Sequence, residues 1–123
     1  MMKSVDQYSE IVATVRDYVE GMCNADAEKL RRVMHPKACS IGHFEGGLEW
    51  DDTEAFIAVV ADMVENPDPD PWFRIKSIHM VGDMASVQIE NYWLGMLFDD
   101  MLTLLKHNGA WMIVSKVFYQ HPS

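Results

Sequence analysis

The sequence predicts an α+β fold, in which three N-terminal helices pack against a curved antiparallel sheet. Two observations predict it. Apolar residues recur at helical spacing in the first half of the chain, and four strand-like runs with tight turns fill the second half. The 123 residues, 49% of them hydrophobic, suit one domain with one core. We therefore expect residues 1–123 to form a single domain.

The first two helices are predicted from capping residues and apolar spacing. Ser4 and Gln7 have the spacing of a capping box, which predicts a helix start at Ser4. Apolar residues then recur every three or four positions over 8–22, as on one side of a helix. Asp26 is a suitable N-cap for a second, short helix through Val33.

A short hairpin and a third helix are expected next. Residues 38–44 are predicted to form a strand, followed by a glycine-containing turn and a short return over 48–50. Either Asp52 or Thr53 is a suitable N-cap for the third helix. The four acidic residues near this start, Glu49, Asp51, Asp52 and Glu54, are interpreted as a solvated helix N-terminus.

The second half of the chain is expected to form consecutive antiparallel strands. The four runs are residues 72–81, 85–94, 97–106 and 111–119. The turns between them are too short for a parallel crossover, and Asn108-Gly109 is the strongest hairpin signal. Alternation on the second run places Asn91 and Trp93 in phase with its apolar residues, and therefore on the inward face.

Charge and composition exclude several classes of function. A formal charge of -9 disfavours binding to nucleic acid or to an anionic membrane surface. The sequence has no membrane-spanning run and no signal-peptide pattern, so a cytoplasmic protein is expected. Cys23 and Cys39 are expected to be reduced packing residues. The spacing of the histidines does not match a metal site, so no metal is predicted. The sequence also lacks a glycine-rich phosphate-binding loop, so no nucleotide cofactor is predicted.

Several segments resemble the nuclear-transport-factor-2-like superfamily, which has a cone-shaped, cystatin-like fold. They are residues 28–38 with the His35-Pro36 step, the turn at 82–87, and the closing hairpin formed by 98–106 and 108–118. The closing hairpin is most similar to the subgroup described as "putative lumazine-binding". Ketosteroid isomerases, scytalone dehydratase and SnoaL-like polyketide cyclases are relatives in the wider superfamily, together with members that only bind or only associate.

The resemblance implies a ligand space between the sheet and the first and third helices. Aromatic and thioether side chains there would suit a small hydrophobic or aromatic ligand. The residues expected around it are Tyr18, Trp50, Phe56, Met63, Asn91, Trp93 and Trp111. The leading hypothesis is therefore a small-molecule-binding protein.

A cofactor-independent isomerase, dehydratase or cyclase is the first alternative. His43 would be a general base if it faced inward, in phase with Cys39 and Ile41. Asp100 would also be a general base if burial raised its pKa. However, an aspartate at the start of a strand commonly binds turn amides or faces water. Tyr18 or Asn91 would then stabilise a developing oxyanion.

The last two strands carry apolar residues on both faces, for example Met101 and Leu102 on neighbouring positions. Because helices cover only one face, the other is predicted to form a homodimer interface. A dimeric association module without a ligand is therefore the second alternative.

Overall fold

A computed structural model describes residues 6–123, which form three helices and one six-stranded sheet. The elements in chain order are α1 (Gln7–Asn24), α2 (Ala27–Val33), β1 (Met34–Phe44), β2 (Gly47–Asp52), α3 (Thr53–Met63), β3 (Phe73–Val81), β4 (Met84–Trp93), β5 (Met96–His107) and β6 (Ala110–Gln120). The predicted α+β class is confirmed, and each of the four strand-like runs of the second half is a strand.

The first helix begins at Gln7. The Asp6 carboxylate caps it by accepting hydrogen bonds from the backbone N–H groups of Tyr8 and Ser9, at 3.0 and 3.4 Å. The cap predicted at Ser4 lies outside the described residues.

The predicted caps of the other two helices are confirmed. Asp26 accepts a hydrogen bond from the backbone N–H of Lys29 at 3.1 Å, and Asp52 accepts one from that of Ala55 at 2.9 Å. Of the two candidates for α3, Asp52 is therefore the N-cap, and Thr53 is the first helical residue. Each carboxylate satisfies an N–H group that has no partner inside its helix.

The strand order in the sheet is β2-β1-β6-β5-β4-β3. Four of the neighbouring pairs are antiparallel, but β1 and β6 are parallel. The prediction of a wholly antiparallel sheet is wrong at this pair. Most of the chain separates β1 from β6, so the short-turn rule that predicts antiparallel neighbours does not apply to them.

A β-bulge in the closing hairpin accounts for the apolar residues on both faces of β6. Between Thr103 and Leu104 of β5 the register with β6 shifts, which leaves Val114 as an extra residue. Before the bulge β6 buries odd-numbered residues such as Trp111, and after it the buried position is Lys116. The inward face of β6 therefore changes phase in mid-strand.

The core lies between the helices and the inner face of the sheet. On β4 the alternation predicted from the sequence is confirmed, because Ala85, Val87, Ile89, Asn91 and Trp93 are all buried. Burying one large apolar side chain stabilises a fold by about 1.5–3 kcal/mol, so this row helps to fix the strand's orientation. No helix within residues 6–123 has the length and apolar character needed to cross a bilayer.

Candidate functional site

A cavity opens on the helix-covered side of the sheet. Its apolar lining consists of Met22, Phe44, Phe56, Val59, Trp93, Phe98 and Phe118. Its polar lining consists of Ser40, Glu49, Asp51, Asn91, Asp100 and Lys116. The free volume of the cavity is about 40 Å³, and its mouth is open to solvent. Ligand pockets are commonly about 300 Å³ or more, so the cavity is smaller than a typical ligand pocket, and a ligand would enter only if side chains at its mouth moved.

Asp100 lies at the floor of the cavity and is buried, on the inner face of β5. The Tyr18 hydroxyl on α1 donates a hydrogen bond to its Oδ2 at 2.7 Å. Burial raises the pKa of Asp100 above the usual 3.8, while the charge of Lys116 and the hydrogen bond from Tyr18 oppose that rise. The structure thus places this carboxyl in a desolvated setting rather than facing water.

Lys116 lies inside an aromatic enclosure, and only 4% of the residue is exposed. Its Nζ is 4.1 Å from the centre of the Phe56 ring, 5.2 Å from that of Phe118 and 5.3 Å from that of Tyr18. Burial lowers the pKa of Lys116, whereas the nearby charges, Asp100 foremost, raise it. Burial therefore favours the uncharged form of both Asp100 and Lys116, and the two groups titrate as an interacting pair.

Asn91 brings an unpaired amide to the same cavity. The residue is fully buried, and neither Oδ1 nor Nδ2 has a hydrogen-bond partner among the described residues. The amide lies close enough to Asp100 to lower the pKa of that carboxyl, but the two do not form a hydrogen bond of normal geometry. A buried polar group without a partner costs about 1–3 kcal/mol. The cavity therefore offers one donor and one acceptor that the protein leaves unused.

Aromatic rings form one wall of the cavity. The rings of Phe44 and Phe98 are stacked with centres 6.3 Å apart, and Trp93 packs against both. The Trp93 indole N–H donates a hydrogen bond to the carbonyl oxygen of Met22 at 3.1 Å, which fixes the ring in place. Flat or apolar ligands match such a wall.

Neither thiol lines this cavity. Cys23 is buried, Cys39 is half-buried, and both are free, as predicted. Burial raises the pKa of the Cys23 thiol to about 11, which keeps it protonated near neutral pH. Within residues 6–123, no three histidine, cysteine or acidic side chains are grouped as a metal site would require.

The structure brings together five of the nine residues predicted for the site. Phe56, Asn91, Trp93 and Asp100 line the cavity. Tyr18 reaches it through its hydrogen bond to Asp100. These residues come from α1, α3, β4 and β5, and the inward faces of α1 and β4 are those expected from the sequence, whereas the face of β5 was left open.

Two predicted residues lie on the opposite face of the sheet. Trp50 is 66% exposed on β2, where Glu49 and Asp51 take the inward positions instead. His43 is exposed on β1, because Gly42 occupies the inward position beside it. On β2 the predicted phase was wrong by one residue, which exchanges the two faces. On β1 the inward placement that a base at position 43 required is not the one adopted. The placement of Trp50 in the pocket and of His43 as an inward base is therefore corrected.

Two other predicted residues face inward but lie away from the cavity. Met63 is the last residue of α3 and packs, partly buried, against the core. Trp111 is buried, and its indole N–H donates a hydrogen bond to Gln7 Oε1 at 3.0 Å, near the start of α1. Both side chains face inward, as expected from the sequence, but they pack in the core outside the cavity.

Sequence reasoning predicted Asp100 but missed the other three charged residues that line the cavity. Glu49 and Asp51 had been interpreted as part of a solvated helix start, yet both line the cavity. Lys116 was not considered, although a single lysine inside an otherwise apolar strand is a usable signal. The bulge at Val114 makes the inward face of Lys116 unpredictable from alternation, because alternation counted from Trp111 places Lys116 on the outer face.

The fold and this site together define a nuclear-transport-factor-2-like protein, with three helices on a mixed, mostly antiparallel sheet that has a partly open cavity beneath them. The chain belongs to the family described as "Putative lumazine-binding", whose model matches residues 6–119.

Three proteins that are similar to this chain illustrate its relatives. A protein of unknown function from Silicibacter pomeroyi is 40% identical, with 98% of this chain and 100% of that chain covered and a TM-score of 0.90. One from Shewanella baltica, also of unknown function, is 31% identical, with both chains fully covered and a TM-score of 0.85. A protein described as aldolase FrzH from Cladobotryum sp. is 21% identical over 116 residues, which are 94% of this chain and 93% of that protein.

Proposed function

We propose that this protein binds a small organic molecule in the cavity, with an apolar or aromatic part against the ring wall and a polar group at Asn91. The observation that carries the proposal is the Asn91 amide, which is fully buried, lines the cavity and has no partner among the described residues. Native proteins rarely leave such a group unsatisfied. A ligand with an adjacent donor and acceptor would satisfy both of its atoms.

The charges around the cavity restrict the ligand further. Glu49 and Asp51 line it together with Asp100 and would repel an anion, particularly at the rim. A neutral carbonyl-containing ring compound fits best, because it pairs with an amide and stacks on aromatic side chains. The family description names lumazine, which is such a compound. A ring of that size would require side chains at the mouth to move, given about 40 Å³ of free space.

Calorimetric titration with lumazine, and with smaller heteroaromatic amides, tests the proposal. Asn91→Leu keeps the size of the side chain and removes both polar atoms, so we expect a loss of about 1–3 kcal/mol of binding free energy. That loss is a fall in affinity of roughly 5- to 150-fold. Gln88→Leu, on the outer face of the same strand, is the matched control and should leave the affinity unchanged. Equal affinities for the two variants would contradict the proposal, as would the absence of binding by every probe.

An enzyme that moves protons without a cofactor is the second candidate function. The hydrogen bond of 2.7 Å from Tyr18 to the desolvated Asp100 favours it, because a base and a donor then lie side by side at the cavity floor. The relative described as an aldolase gives this candidate a reaction class, carbon–carbon bond chemistry next to a carbonyl.

Solvent deuterium exchange into the α-carbon of a bound ketone, followed by NMR, measures this activity directly. Asp100→Asn should abolish the exchange, and His43→Gln should leave it unchanged because His43 faces outward. Exchange that survives in Asp100→Asn would rule out this carboxyl as the base.

We also propose that the outer face of the sheet mediates a homodimer. Adjacent strands align Trp50, Ile41, Val117 and Met101 in one row, and three of the four are 66%, 48% and 60% exposed. An apolar row on a sheet can pack on its own copy across a two-fold axis. Sedimentation of Met101→Lys should show monomers, whereas Tyr8→Lys, on the first turn of α1, should remain dimeric. A monomeric unmodified protein would refute the interface.

A further inference from the structure

We propose that Lys116 forms an imine with the carbonyl group of a small aldehyde or ketone that enters the cavity. The inference rests on the proposed ligand-binding function, because the carbonyl compound must first occupy this cavity. It adds a covalent step and a residue that carries it.

The surroundings of Lys116 Nζ combine burial with aromatic ring faces, which attract an ammonium ion without carrying a full charge. Nζ faces three aromatic rings, those of Phe56, Tyr18 and Phe118, and it lies 3.9 Å from Met22 Sδ. None of these groups carries a charge that neutralises an ammonium ion. A lysine in such an enclosure loses the hydration that keeps surface lysines protonated.

Other lysines of the described chain have a different environment. Lys29, Lys76 and Lys106 each form an ion pair with a carboxylate, with N–O distances of 3.0, 3.0 and 3.6 Å. None of the ion pairs formed by residues 6–123 includes Lys116. An ion pair would hold the amine in its protonated, unreactive form. Without such a pair among residues 6–123, burial competes only with the more distant charges of Asp100, Asp51 and Cys23 in setting the charge of Lys116.

The neighbouring ionisable groups support the same chemistry. Burial lowers the pKa of Lys116, which favours the free amine, while Asp100, Asp51 and Cys23 act in the opposite direction. Burial also raises the pKa of Asp100, so that carboxyl can hold a proton in the cavity. The Tyr18 hydroxyl keeps the carboxyl in position through its hydrogen bond.

The reaction balances without an oxidant, a reductant or a cofactor. The Nζ lone pair forms a bond to the carbonyl carbon, and the carbonyl oxygen takes up a proton to give a carbinolamine. The carbon–oxygen bond then breaks, the oxygen leaves as water, and the nitrogen keeps a double bond to carbon. The two protons in the water are those lost by the amine. Asp100 would relay them from nitrogen to oxygen and end in its starting state.

Reductive trapping tests the inference with propanal, a small carbonyl compound. The folded protein is treated with limiting propanal and sodium cyanoborohydride near neutral pH, and the alkylated lysines are mapped by peptide mass spectrometry. We expect Lys116 to be labelled at least about tenfold faster than the exposed Lys37, because only a free amine attacks the carbonyl. Lys37→Arg is the matched control and should leave labelling at Lys116 unchanged.

Occupancy of the cavity is measured separately, from the amide NMR shifts of Asn91 and Phe98 when propanal is added to Lys116→Arg. This variant keeps a cation but has no nucleophilic amine. Shifts in the variant together with trapping at Lys116 in the unmodified protein would support the inference. Shifts without trapping would overturn the imine and leave ligand binding intact. If shifts and trapping are both absent, the result would overturn the imine and also the binding of small carbonyl compounds.

Discussion

Replacing Tyr18 with phenylalanine removes one hydroxyl group from the centre of the protein and keeps the ring. That hydroxyl donates a hydrogen bond of 2.7 Å to Asp100 Oδ2, and both residues are buried. The substitution leaves packing volume almost unchanged and takes one donor away from a buried carboxyl. It therefore isolates the polar contribution of the Tyr18–Asp100 contact to stability.

The size of the effect depends on the charge of Asp100. A hydrogen bond to a charged group contributes about 1.5–3 kcal/mol, and one between neutral groups about 0.5–1.5 kcal/mol. The Tyr18 hydroxyl lowers the pKa of Asp100, so it favours the ionised carboxylate. Its removal raises that pKa further, at about 1.4 kcal/mol for each unit. The loss of stability should thus be smaller below the pKa of Asp100 and larger above it.

Urea unfolding followed by tryptophan fluorescence measures this difference at a fixed protein concentration, in a pH series that begins near the usual aspartate pKa of 3.8 and extends to neutral and alkaline pH. Tyr119→Phe is the matched control, because Tyr119 is 58% exposed on the outer face of the sheet. We expect the control to change the free energy of unfolding by less than about 0.5 kcal/mol. A Tyr18→Phe variant as stable as the control, or one that loses more stability at the lower pH, would refute the reasoning.

Three further predictions concern stability. The pKa of Asp100 is raised in the folded state, so the unmodified protein should lose stability as pH rises from 3.8 through the raised pKa, where the unfolded chain ionises first. Asp100→Asn should lack that loss in a pH series of thermal melts, and an unchanged slope would contradict the assignment. Gly42→Ala places a Cβ 2.5 Å from the carbonyl oxygen of Phe118, which should cost about 1–3 kcal/mol in urea unfolding. Gly47→Ala, whose nearest atom is 3.7 Å away, is its control, and equal losses would contradict the packing argument. Asp52→Ala removes the N-cap of α3 and should cost about 1 kcal/mol by the same assay, whereas no change would mean that the cap is dispensable.

Features that depend on a few neighbouring residues were predictable. Asp26 and Asp52 cap helices because their carboxylates reach N–H groups three residues along the chain. Asn108 and Gly109 form the closing turn, and their φ angles of 50° and 79° are those that a two-residue hairpin requires. Each of these features follows from local chemistry, so a single sequence is enough to predict it.

Among the strands of the candidate site, the inner face was predictable only where alternation runs unbroken. On β4 the sequence correctly placed Asn91 and Trp93 on the inner face. On β2 an error of one residue exchanged Trp50 for Glu49 and Asp51. A strand with apolar and charged residues on both faces does not specify its own phase, because either face could be buried.

The sequence by itself determined the class of fold, the capped helices, the turn-linked strands and the inner face of β4. Tertiary structure alone decided that β1 pairs in parallel with β6, that the bulge turns Lys116 inward, and that Tyr18 meets Asp100 across 82 positions of the chain. The physical reason is that caps and turns depend on groups a few residues apart. The cavity instead depends on strand register and on helix packing over the whole chain, which burial of the complete core selects.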